Sequence, residues 1–200
     1  MTHSTPYRAT PPRTIPLRTT YAGDLDRVRA DPLAPATTDV GSPRGWLLDT
    51  GVVDLVEPFL TWRPADDGDL ARYAGLDGGT ARTLLGVLPA VELDDRQNDA
   101  PTLGTLLRAA AEHPDEVELH GYLVGPARVD ERLTAEGLYA YVAPDLDITA
   151  GHHHGCQCER LWAVVQRDLG VDDAVRMPDS ISARINPWRP YEPCWSLWWD

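Results

Sequence analysis

The sequence predicts an α+β fold, with a helical N-terminal half and a C-terminal half built on an antiparallel hairpin, one helix and a Trp-rich terminal strand. Three observations point there. Between Val52 and Glu112, apolar residues recur at three- and four-residue spacing, the period of an amphipathic helix. From Val117 to Val142 they alternate, the period of a strand. Trp195, Leu197 and Trp199 then alternate at the C-terminal end, as a closing strand would.

Taken in order, residues 1–43 hold seven prolines, many threonines and few large apolar side chains. They predict a flexible Pro/Thr/Arg-rich arm with at most a short helix near Gly23–Arg29, because so little apolar surface does not offset the entropy of ordering. A single globular domain is expected over 44–200, helical over 44–114 and mixed over 115–200. Val52, Leu55, Val56, Phe59 and Leu60 share a helical face that Pro58 weakens. Leu70–Tyr73 and Thr80–Val87 read as two short helices about a Gly-rich turn. Pro101–Glu112 is a cleaner helix, with Pro101 suited to its first turn and Leu103, Leu106, Leu107, Ala110 and Ala111 on one face. Val117–Val124 is a strand with Val117, Leu119, Gly121 and Leu123 on one side. Gly125-Pro126 ends it, and Leu133–Val142 is its hairpin partner, kinked near Gly137. Glu159–Leu169 is an amphipathic helix stopped by Gly170.

The charge is acidic and uneven. The net charge is −13, and all 18 basic residues are arginine. Residues 1–44 carry six Arg against four Asp, so the acidic excess lies after residue 44. Such a surface repels phosphate and disfavours non-specific binding to nucleic acid or anionic membrane. The lack of lysine, with abundant Ala, Gly, Pro, Asp and Val, reads as the mark of a GC-rich genome such as an actinobacterium, its phage or its plasmid. No segment reaches the ~18 apolar residues of a membrane span, and Met1–Pro6 lacks the apolar run of a secretion signal. The expectation is a cytoplasmic protein with reduced cysteines.

The densest chemistry lies at Gly151-His152-His153-His154-Gly155-Cys156-Gln157-Cys158. Imidazole nitrogen and thiolate sulfur are the ligands zinc favours, four in a tetrahedron. A straight segment does not work. Each two-residue step advances ~6.6 Å along an extended chain, so four alternating ligands would be strung over roughly 20 Å. A fold-back at Gly155 is required, or a ligand from elsewhere. The candidate set is Cys156, Cys158, Cys194 and one of His152, His153 or His154. A metal held so would be structural; a hydrolytic zinc would also need an open position and a base, for which Asp145, Asp147 and Glu159 are near in sequence. The alternative is a polar loop whose cysteines pack as small apolar groups.

Residues 69–88 run Asp-Leu-Ala-Arg-Tyr-Ala-Gly-Leu-Asp-Gly-Gly-Thr-Ala-Arg-Thr-Leu-Leu-Gly-Val-Leu. This stretch resembles the helix-turn-helix of bacterial transcription regulators. The resemblance implies that Ala71 is the small residue at the helix crossing and Gly75 the turn glycine. Leu76, Ala81 and Leu84 would be core anchors, and Thr80 and Arg82 would face DNA. It covers about 20 of 200 residues. Gly78 and Gly79 depart from a good second helix, and Arg72 and Arg82 are offset by Asp69 and Asp77.

Two further features stand out. The Trp-rich end is a candidate core element or a surface for a protein partner or self-association. His120 alternates outward on its strand near Tyr122 and reads as a surface or satisfied residue. The leading functional reading is a non-enzymatic binding or interaction protein stabilised by zinc. A DNA-binding regulator and a zinc-dependent hydrolase are the alternatives.

Overall fold

The computed structural model describes residues 15–63, 70–148 and 155–200. The fold is mixed α and β. Six strands form one antiparallel sheet: β1 (Leu60–Trp62), β2 (Ala71–Leu76), β3 (Val117–Val124), β4 (Arg132–Ala140), β5 (Ser180–Ile185) and β6 (Pro193–Trp198), in the order β1-β2-β3-β4-β6-β5. The helices are α1 (Leu17–Ala30), α2 (Trp46–Asp49), α3 (Val52–Val56), α4 (Gly78–Val87), α5 (Ala90–Leu93), α6 (Leu103–Glu112) and α7 (Cys158–Asp168).

The predicted β3–β4 hairpin is present, with Leu119 opposite Leu138 and Leu123 opposite Leu133. Side chains alternate across a pleated strand. One face of the sheet thus presents Leu119, Leu138, Leu197 and Ile181 to the core, where α6 packs on β3 and β4 with α4 beside it. Helix α7 adds Leu161, Trp162 and Val165, and the Trp162 ring meets Trp199 edge-on at 5.7 Å. The other face carries polar and aromatic side chains and no covering helix among the described residues.

Helix α6 shows why the chain folds as it does locally. Its apolar face is the predicted one, with Leu103, Leu106, Leu107 and Ala110 buried. Its cap is Thr102, whose hydroxyl accepts the Thr105 N–H at 3.2 Å. Asp173, from a distant loop, completes the end: it accepts the Thr102 hydroxyl at 2.7 Å, the Thr105 hydroxyl at 2.9 Å and the Thr102 N–H at 3.2 Å. A carboxylate here satisfies orphan donors and faces the positive end of the helix dipole. Glu131 does similar work for α2, accepting the Gly45 and Leu47 N–H groups at 2.7 and 3.2 Å while fully buried.

Several expectations are corrected. The N-terminal half is not purely helical, since it supplies β1 and β2. Leu70–Tyr73, read as the first helix of a helix-turn-helix, runs into strand β2, which spans Ala71–Leu76. Ala71 and Tyr73 are buried while Arg72 is exposed, and Ala71–Ala74 and Leu76 pair with β3. Small residues at that spacing fit a strand beside another as readily as a helix crossing. Gly75, cast as the turn glycine, has φ +75° at an irregularity in the β2–β3 pairing, with the Trp188 ring against it. The part of the expected arm that is described is folded onto the domain: α1 runs from Leu17, and Leu17, Tyr21 and Leu25 are buried. Strand β5 was not anticipated at all.

Candidate functional site

The open face of the sheet holds a cleft of about 560 Å³. Strand register places its floor. One row across the sheet runs Ala74, His120, Gly137, Trp198, Ser180; the next runs Glu118, Tyr139, Ser196, Ser182. Of these, all but Glu118 and Gly137 line the cleft, joined by Arg72, Tyr122, Glu136, Arg184 and Asp200.

A bulge puts the acid there. His120 pairs with Gly137, but Gly121 pairs with Ala135, so Glu136 is an extra residue in β4. With Leu138 facing the core, strict alternation would send Glu136 into the core as well. The inserted residue lets Ala135 take the core position and leaves Glu136 on the open face. The ladder uses its backbone too: the Glu136 carbonyl accepts the Trp199 N–H at 3.0 Å.

Around Glu136 the charges are ordered. Arg72 Nη1 donates to both carboxylate oxygens, at 3.0 and 3.4 Å. His120 Nδ1 stands 3.9 Å from Oε1, beyond a direct hydrogen bond but within strong electrostatic reach. Burial pushes the Glu136 carboxyl up, but His120 and Arg72 outweigh it and hold the group below the usual carboxylate range. Nδ1 is the ring nitrogen that faces the carboxylate, which leaves Nε2 for other partners. That Nε2 is buried and has no hydrogen-bond partner among the described residues. The imidazole is fixed by the Tyr139 ring, 4.7 Å away centroid to centroid, and Tyr139 is backed by Trp188 at 6.0 Å. Burial raises the Tyr139 phenol, so it remains a donor.

Two networks bound the cleft. On one side Tyr122 donates to Gln97 Oε1 at 2.8 Å, Arg132 donates to the same oxygen at 3.1 Å, and the Arg72 and Arg132 guanidinium groups lie 5.8 and 5.7 Å from the Tyr122 ring. On the other, buried Glu118 accepts from Tyr141 at 2.8 Å and from Trp188 Nε1 at 2.7 Å, with Arg189 at 3.6 Å.

The residues singled out from sequence fall elsewhere. Cys156 and Cys158 are joined as a disulfide before and at the start of α7. Cys194 is a free, buried thiol on β6 that accepts from Asn186 at 3.5 Å. Burial raises it. Among the described residues no three His, Cys, Asp or Glu side chains gather as metal ligands, so Cys194 does not join Cys156 and Cys158. The chain end is held in the sheet by β5 and β4 rather than folded back to the start of α7. His152, His153 and His154 lie outside the described residues. Thr80 and Arg82 are on α4, half-buried and exposed respectively: the Thr80 N–H is capped by Asp77 at 2.7 Å and Arg82 donates to the Ala111 carbonyl. Of the late tryptophans, Trp195 and Trp199 are buried, Trp198 lines the cleft and Trp188 is 42% exposed. Among the described residues no helix is long and apolar enough to cross a membrane.

His120 was visible as an outward residue of β3, yet its partner was not: no sequence signal announces that Glu136 is a bulge residue, beyond the glycine beside it. No family model, curated protein or solved structure matches this chain.

Proposed function

We propose that this is a binding protein whose recognition surface is the open face of the sheet, taking one small polar molecule in the cleft over His120. The observation that carries the reading is His120 Nε2, buried and unpartnered in a cleft wall. An unmet buried nitrogen costs about 1–3 kcal/mol, and a ligand donor would recover it. The surroundings suit a ligand: ring faces for stacking, hydroxyls for orientation and a fixed carboxylate–imidazole pair.

Imidazole-detected NMR on the full chain tests this. With a library of small polar fragments, binders are expected to shift the His120 Nε2 resonance and to lose affinity in His120→Ala. If no fragment perturbs His120, or if binders act equally on His120→Ala, the reading fails.

A further inference from the structure

The cleft is not symmetrical in charge, and that asymmetry names a ligand class. Of its two arginines, Arg72 is neutralised by Glu136. Arg184, on β5, is exposed and makes no hydrogen bond or ion pair with any described residue. It stands at the end of a run of hydroxyls. Ser180 and Ser182 lie on the same face of β5, and Ser182 is opposite Ser196 on β6. None of the three serine side chains makes a hydrogen bond within the described residues. Tyr139 is the next residue across the sheet from Ser196.

Of the cleft's two acids, Glu136 and Asp200, Asp200 pairs with no described cation, and it is at the far end. Asp200 lies beyond Trp198, which is opposite Ser180, whereas Arg184 is opposite Cys194. At ~3.3 Å per residue the two backbones are separated by roughly 20 Å along the strand. A free guanidinium flanked by unpartnered hydroxyls is the donor set that planar oxyanions take. Between that end and His120 the walls are the rings of Tyr139 and Trp198, which take a flat apolar body by stacking.

Resting on the reading of the cleft as a binding site, we infer that its ligand is an aromatic carboxylic acid, held with its carboxylate on Arg184 and the β5–β6 serines and its ring beside Tyr139 and Trp198. The acid end points away from Asp200, which would repel it.

Three probes of one shape and different charge test this by calorimetry on the full chain: benzoate, benzamide and benzylamine. Benzoate is expected to bind most tightly. Arg184→Gln should weaken it about tenfold or more, since a charge-assisted bidentate pair is lost, while Asp200→Asn should leave it unchanged or improve it. Arg184 is exposed and makes no hydrogen bond or ion pair with any described residue, so an unchanged thermal midpoint will confirm that the variant is folded. Preference for benzamide or benzylamine overturns the acid class and leaves the cleft reading standing. So does silence from benzoate while other fragments shift His120, or benzoate binding that ignores Arg184→Gln. Silence from every probe and every fragment sinks both readings.

Discussion

The imidazole of His120 occupies the space that a side chain at Gly137 would need. A Cβ built on Gly137 would stand 2.6 Å from both Cε1 and Nε2 of His120, and closer still to the Leu197 carbonyl. The absence of a side chain on one strand is therefore what seats the ring on the next. Gly137→Ala is expected to lower stability by about 1–3 kcal/mol through overpacking, and to move the His120 imidazole resonances. Denaturant unfolding and the same NMR spectra check both; a stable variant with an unmoved ring would show that His120 does not rest there.

Glu92 is fully buried, and among the described residues neither carboxylate oxygen has a hydrogen-bond partner. Burial pushes its carboxyl above 4.5, its ordinary value. The folded state thus holds a proton that the unfolded chain releases near pH 4.5, and stability falls as pH rises from there through the folded value. Glu92→Gln removes the charge that must be buried at neutral pH. It is expected to stabilise the protein by on the order of 1 kcal/mol at pH 7, with the gain fading below about pH 4.5. A gain of the same size at pH 4 and pH 7, or a loss at pH 7, would contradict the assignment.

Asp173 fastens the loop after α7 to the start of α6. Asp173→Ala strips acceptors from the Thr102 and Thr105 hydroxyls and the Thr102 N–H together. The expected loss is about 1–2 kcal/mol, the range of a helix cap, with Asp173→Asn losing less. Urea midpoints for the three proteins decide it; equal midpoints would mean the contact contributes nothing.

How far the sequence carried these results depends on the element. Strand β3 was legible because Val117, Leu119 and Leu123 are large, apolar and strictly alternating, and α6 because three leucines and two alanines share one helical stripe. Strand β2 was misread because Ala71, Ala74 and Gly75 are too small to declare a period. Strand β5 was missed for a related reason: Ile181 is its one buried residue, and Ser180, Ser182, Ala183, Arg184 and an exposed Ile185 hold the rest. The His/Cys run drew attention because ligand types cluster there in sequence. The cleft did not, because Arg72, His120, Glu136, Ser182 and Arg184 come from four strands and only pairing register assembles them.

The extra residue in β4 has a consequence for what changes the chain can absorb. It divides one strand into two segments of opposite phase: Leu133 and Ala135 face inward on one side of it, Leu138 and Ala140 on the other. Replacing Glu136 alters the cleft but keeps the phase. Deleting Glu136 would close the bulge and leave plain alternation, with Leu133, Ala135, Leu138 and Ala140 still inward and the carboxylate gone, whereas deleting Thr134 or Tyr139 would set two inward residues side by side. The cleft's acid is therefore separable from the core: one residue more or less at this point gives or removes it while the inward row stays in step.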